Sequence, residues 1–397
     1  MSENRDPVTE AVRAGLECDE TGAVVPPIHL SATFAFRGFD ERRTYDYTRS
    51  GNPTRDVLAR ALAQLERGHG GVITATGMAA ITLVGHLLPA GSRIVAPHDC
   101  YGGSYRLFDA WQRRGELRAE FVNFGDEDAV RAALATPAAL LWIETPSNPL
   151  LRITDIEHFA ELGHASGALV AVDNTFLSPL WQRPLDLGAD LVVHSTTKYL
   201  NGHSDVVGGA VVARGKEHHE QLTWWANCLG LTGAPFDSYL TLRGLRTLNA
   251  RLEQHERNAR ALAEWLAVQP GVARVYYPGL ANHPGHELAR RQQRGFGAIV
   301  SLELAGGHET VRAFVSGLRS FSLAESLGGV ESLVAHPATM THAAMEPEAR
   351  RRAGLADGLI RLSVGIEALE DLRSDLADAL DRARRAGAAP RRKLAKV

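Results

Sequence analysis

Two textures of hydrophobic positions divide the chain. Short continuous apolar runs (GVITA, SRIVAP, AEFVNF, AALLWIET, GALVAVD, ADLVVHS and GGAVVA) alternate with stretches of helical period such as GMAAITLVGHLL and DEDAVRAALA. Val/Ile/Leu-rich runs without polar alternation suit strands buried on both faces. Helices between them imply a mostly parallel, seven-stranded sheet covered on either side. Ahead of these runs, PTRDVLARALAQLERG predicts a helix: Pro53 can open it, Val57, Leu58, Ala61, Leu62 and Leu65 share a face, and Gly68 can close it. Residues 1–50 show little periodicity and read as an extended arm. Near Arg243 the texture changes. RLEQHERNARALAEWLAVQPG reads as a long linking helix, followed by fewer strands, VARVYYPG, FGAIVSLEL and LIRLSVGIE, with helices between them. The expected organisation is an arm over 1–50, a large α/β domain over 51–243 and a smaller α+β domain over 244–397.

Composition narrows the class without changing the architecture. A chain of 397 residues exceeds what one compact core usually holds, which agrees with two domains. A formal net charge of -3 gives no electrostatic case for nucleic acid or an anionic membrane. No apolar run approaches bilayer length, and MSENRDPVTE lacks the apolar core of a secretory leader. Three dispersed cysteines, Cys18, Cys100 and Cys228, argue against a disulfide framework and suit a reducing compartment. The expectation is a soluble cytoplasmic enzyme acting on small molecules, with AGAAPRRKLAKV as a solvated basic tail.

Several chemistries lack their signatures. There is no GxGxxG after the first strand, and RGKE is not a phosphate-binding loop. Sixteen histidines include no HExxH, and His283 and His286 in HPGH have no third partner in view, so no metal is expected. Cys100 reads as a small buried hydrophobe rather than a nucleophile.

Four other features fall where strands of such a sheet end, and ligands of open parallel sheets collect there. Thr76-Gly77-Met78 runs into a helix start, whose free N–H groups suit a phosphate. Tyr101 follows the strand ending near Pro97 and can present an aromatic face. Asp173 closes GALVAVD, where a carboxylate needs a cationic or donating partner. Lys198 stands in STTKYLNGHSD beside the hydroxyls of Ser195 and Thr197. Singly, each has an ordinary explanation: a strand-to-helix turn, a packing tyrosine, a cap aspartate, a solvated lysine. Together they match the needs of pyridoxal 5'-phosphate, which takes a phosphate cradle, an aromatic stacking face, an acid for the pyridine nitrogen and a lysine for covalent attachment.

The ordered set YTRSGNPT, TGMAA, YGGSYRLF, ETPSNP, VDNTF, STTKYLNGHSD, ESLGGVESL and RLSVGIE resembles the Cys/Met-metabolism family of pyridoxal-phosphate enzymes, of fold type I. The likeness runs from about Val25 to about Glu370. It implies homotetramers built from dimers, with active sites at the dimer interface. Tyr47 and Arg49 are then expected at the neighbouring subunit's cofactor phosphate, with Gly77, Met78, Ser195 and Thr197 completing the cradle from within. The resemblance also implies Asp173 at the ring nitrogen, Asn148 on the ring-hydroxyl side and Lys198 as the covalent lysine. Tyr101 would stack on the ring and accept the substrate's amine proton. Arg361, helped by Ser326, would hold the substrate α-carboxylate, and Asp46, Arg106, Asn227 and Glu325 its distal part. Within the family the chain is most similar to the cystathionine γ-synthases, which implies replacement of the succinyl group of O-succinylhomoserine by cysteine. A γ-lyase reading stays open, since Glu325 is common to both. Gly103 stands where methionine γ-lyases carry cysteine. Leu327 and Val330 stand where β-lyases carry bulky aromatics. Arg106, Asp46 and Asn227 match synthase positions, while Cys228 departs from them.

Overall fold

The computed structural model describes residues 5–16, 20–341, 343 and 347–388. Cys18 and residues 389–397 of the basic tail lie outside the described residues. All seven apolar runs form strands: β1 (Gly70–Thr74), β2 (Arg93–Pro97), β3 (Arg118–Val122), β4 (Leu140–Glu144), β5 (Leu169–Asp173), β6 (Leu191–His194) and β7 (Gly209–Ala213). They make one sheet in the order β1-β7-β6-β5-β4-β2-β3. Neighbours from β6 to β3 are parallel, and only β7 runs antiparallel to both its partners.

Successive residues of a strand face opposite sides, and here both sides are core. On β4, Leu140 and Trp142 pack with Ile81, Val84 and Phe108, whereas Leu141 and Ile143 pack with Leu58, Leu62 and Phe159. That is why the runs lack polar alternation. Edge strand β3 is more exposed, and its burial alternates.

The helix predicted from PTRDVLARALAQLERG spans Pro53–Glu66, with Asn52 capping it through Thr54 and Arg55 N–H. All five residues assigned to its apolar face are buried. Its end differs from the expectation. Arg67, at φ 60°, takes the left-handed conformation, and the Gly68 N–H returns to Ala63 O. Glycine at 68 serves a different need: a Cβ there would lie 2.4 Å from Val212 Cγ1. Residues 5–16 begin with a short helix, Pro7–Val12, and residues 20–50 cross the surface with isolated bridges such as Thr33 to Tyr47.

A long helix, Leu248–Leu266, precedes a second sheet. Its strands are β8 (Val272–Tyr276), β9 (Ile299–Leu304), β10 (Phe321–Leu323), β11 (Ser332–Ala335) and β12 (Leu359–Ser363), in the order β10-β11-β12-β9-β8. Strands β10 and β11 were not anticipated. They have three and four residues, too short to register as apolar runs. The long helix carries a buried polar stripe, Arg251, His255 and Asn258. Arg251 donates to Tyr199 O, His255 Nδ1 lies 2.7 Å from Val364 O, and Asn258 donates to Gly365 O and Glu367 O. One helix face therefore grips both the turn after Lys198 and the strand end after Arg361.

Candidate active site

A cavity of about 440 Å³ opens at the carboxyl ends of the parallel strands and reaches the second sheet. Its floor comes from the first sheet, with Gly77, Met78, Tyr101, Asp173, Ser195, Thr197 and Lys198. From the other side come Glu325, Ser326, Leu327 and Arg361. Twelve sequence-predicted residues line it, counting Asn148 and Arg106 with these floor and roof residues apart from Leu327. Tyr47, Arg49, Asp46 and Asn227 do not. Arg49 instead lines a separate cavity of about 510 Å³ that contains neither Lys198 nor Asp173. Its Nε donates to Asn227 Oδ1 at 3.0 Å, and its guanidinium lies 5.1 Å from the Tyr47 ring centroid. Asp46 accepts from Ser50 Oγ and the Tyr47 N–H. These four form one surface group away from their own chain's cavity.

The helix Gly77–Gly85 starts at the cavity wall. Thr76 caps it by accepting the Ala79 N–H, which leaves the first N–H groups, at Gly77 and Met78, without intrahelical acceptors. Ser195 crowds this start, since a Cβ at Gly77 would lie 2.8 Å from Ser195 Cβ and 3.1 Å from its Oγ. The result is a hollow edged by N–H groups and a hydroxyl, kept open by glycine. Thr197 Oγ1 meanwhile accepts the Gly208 N–H and steadies the loop.

Lys198 Nζ donates to Ser326 Oγ at 2.7 Å. Burial first, and the Arg361 charge second, push this amine down to about 8, while Glu325 opposes them. Its neutral, nucleophilic fraction near neutral pH therefore far exceeds that of a solvated lysine. Ser326 holds φ at 103°, a strained value for a residue with a side chain. Its carbonyl accepts from Arg361 Nη2 at 2.8 Å, and Arg361 Nη1 reaches Asn148 Oδ1 at 3.0 Å. Arg361 is buried, and its Nε has no hydrogen-bond partner among the described residues.

Asp173 accepts the Thr175 N–H at 2.9 Å through Oδ1. Burial raises its carboxyl above the usual range, while Thr175 and His194 pull it back. Burial also raises the Tyr101 phenol, with Arg106 opposing. In the ligand-free protein Tyr101 is thus a protonated donor, a poor start for the proton-accepting role expected of it. Close packing holds its ring: a Cβ at Gly103 would lie 2.4 Å from Tyr101 Cε1 and 2.6 Å from Met78 Sδ.

Sequence reasoning missed Glu144. It ends β4 opposite Asp173 in the strand register, and it is buried. Its Oε2 accepts the Tyr101 N–H at 2.6 Å, and Oε1 accepts from Ser104 Oγ at 2.8 Å and Trp142 Nε1 at 2.9 Å. Burial and then the Asp173 charge raise it to about 7, against the pull of those three donors. Its sequence signals were an acidic residue closing an apolar run, as at Asp173, and its place at the head of ETPSNP, where no role was assigned to it. Met340 and Thr341, also in the cavity wall, carried no signal.

The model of the Cys/Met metabolism PLP-dependent enzyme family matches residues 8–381. The chain belongs to this family. Among curated relatives, cystathionine gamma-synthase of Escherichia coli (strain K12) is 59% identical over 94% of this chain and 97% of its own. Cystathionine beta-lyase of Coxiella burnetii is 48% identical over the same shares. The crystal structure of cystathionine gamma synthase from Xanthomonas oryzae pv. oryzae in complex with cystathionine superposes with a TM-score of 0.95. It is 61% identical, over 97% of this chain and all of that one. The family's cofactor is pyridoxal 5'-phosphate, and the residues present fit it. The hollow kept by Gly77 suits the phosphate, the buried Asp173 carboxyl, with no lysine or arginine beside it among the described residues, suits a protonated ring nitrogen, and the depressed Lys198 amine suits covalent attachment.

Proposed function

We propose that this family member replaces the acyl group of an O-acyl-L-homoserine, O-succinyl-L-homoserine first, with the thiol of L-cysteine to give L-cystathionine. What carries the reading is the 61% identity to a synthase crystallised with cystathionine, with a matching backbone. When bound, the cofactor withdraws electrons from the substrate's α and β carbons, which lets a γ substituent leave. This chain's residues supply the rest. Lys198 would hold the cofactor and, as a free amine, would move protons at the α and β carbons; Ser326 Oγ keeps its Nζ aimed. Asp173, as a carboxylate, would keep the ring nitrogen protonated. Gly77, Met78, Ser195 and Thr197 hold the phosphate, and Asn148 flanks the ring hydroxyl. Arg361, already oriented by Asn148 and Ser326, takes the α-carboxylate, for which a guanidinium fork is well shaped. Arg106 and Glu325 meet the distal group.

Tyr47 and Arg49 lie outside their own cavity, which supports their serving a neighbour's cofactor phosphate, with Asp46 and Asn227 beside them. We assign residues 1–50 to that exchange, residues 51–243 and 244–397 to two domains, and the assembly to a homotetramer. Among the described residues no helix is long and apolar enough to cross a membrane, and we place the enzyme in the cytoplasm. The deciding assay incubates the holoenzyme with O-succinylhomoserine and cysteine, and separately with cystathionine. Cystathionine formation outpacing cysteine release supports γ-replacement; the reverse makes the protein a γ-lyase.

A further inference from the structure

Glu144 is a charged group that the mechanism above does not use. Its three donors are a backbone N–H, a hydroxyl and an indole, and among the described residues no lysine or arginine pairs with it. Burying a carboxylate on neutral donors alone is costly. Part of its role is local. Tyr101 starts the helix Gly102–Arg113 without a side-chain cap, and Glu144 receives the orphan N–H there. A glutamine oxygen could do the same without a charge. Capping alone therefore does not account for an acid at this place, paired across adjacent strands with Asp173 and sharing its cavity.

We propose that Glu144 is a positioning residue of the cofactor site, fixing Tyr101 and, ionised once a cationic cofactor ring replaces the ligand-free surroundings that keep it protonated, standing as a second negative charge that favours the protonated form of the cofactor Asp173 holds. Neighbouring strands lie about 4.8 Å apart. Across one such spacing the Asp173 charge already acts on Glu144, and a charge one strand away from the acid that holds the ring acts strongly where little water intervenes. The titratable groups facing Glu144 are Asp173 on β5, Cys100 on the preceding loop and Tyr101 at the helix start. Tyr101 is itself faced by Arg106 and Glu325. Burial pushes the Cys100 thiol far up, so it stays neutral, and Asp173 carries the counter-charge to the ring. The inference rests on the family's cofactor, not on the choice between γ-replacement and γ-elimination.

The test uses full-length protein reconstituted with pyridoxal 5'-phosphate, in wild-type, Glu144→Gln and Glu144→Asp forms. Two quantities are read: the pH midpoint of the visible band of the lysine-bound cofactor, and the cofactor retained on dialysis. A negative charge raises the proton affinity of the bound cofactor, so its removal lowers the midpoint. Glu144→Gln should shift the midpoint down by about one pH unit. Glu144→Asp keeps the charge on a shorter arm, so it should hold the wild-type midpoint while retaining cofactor less well. A Glu144→Gln midpoint equal to wild type overturns the proposal. Should that variant not fold, Ser104→Ala, which removes one donor to the same anion, takes its place, and there too an unmoved midpoint overturns it. If wild-type protein shows no visible band at all, the cofactor assignment has failed instead.

Discussion

Lys198 and Glu144 are moved by burial in opposite directions, and each leaves a signature in the ligand-free protein. Glu144 keeps its proton to about pH 7 when folded, whereas the unfolded chain releases it near 4.5. Between those values the native state binds more protons, so stability falls as pH rises. The loss is about 3 kcal/mol at most. Urea denaturation at pH 5 and pH 7 should show that slope, flattened in Glu144→Gln. The Lys198 amine releases its proton near 8 when folded, against about 10.4 in the unfolded chain. Here the unfolded state binds more protons, and stability rises from pH 8 toward 10.4. Lys198→Met removes the penalty at neutral pH. It should abolish activity yet raise the melting temperature of the ligand-free protein by roughly 2–4 °C. A drop in melting temperature would mean that the bond to Ser326 outweighs burial of the charge.

The helix Gly77–Gly85 and the helix Leu248–Leu266 shape the site without chemistry of their own. A methyl at Gly77 would enter the space beside Ser195. Gly77→Ala should therefore fold with a near-native circular dichroism spectrum but lose cofactor on dialysis. On the long helix, Asn258→Ala would strand the carbonyls of Gly365 and Glu367, at about 1–3 kcal/mol each. That strand end follows Arg361. The variant should lower the denaturation midpoint and raise the KM for the amino substrate more than it lowers kcat. The seven first-sheet strands were legible because strands buried on both faces are plain apolar runs, and their ends marked Gly77, Tyr101, Asp173 and Lys198. Glu144 was not legible, because its donors Tyr101 and Ser104 lie some 40 residues away. The inward polar stripe of the long helix was equally hidden: Arg251, His255 and Asn258 look like a solvated face until the carbonyls they reach are known.

For the whole molecule, the separation of Arg49 from Lys198 predicts complementation. Lys198→Ala and Arg49→Ala homomers should each be nearly inactive. After mixing, denaturing and refolding, a dimer of one copy of each has one site with both defects and one with neither. Activity should return in the mixture. If mixed oligomers form and stay as inactive as their parents, Arg49 works in its own subunit.

Lys198 and Asp173 come from the first sheet, whereas Glu325, Ser326 and Arg361 come from residues around the second. Apart from Arg106 on the helix Gly102–Arg113 and Asn148, which orients Arg361, the groups that face the amino acid are thus inherited on a different stretch of chain from the lysine and its acid. Lineages could exchange leaving-group preference by altering the short span from Phe321 to Thr341 while the anchoring lysine and its acid stay untouched. Such modularity suits one ancestral scaffold to several sulfur-handling reactions.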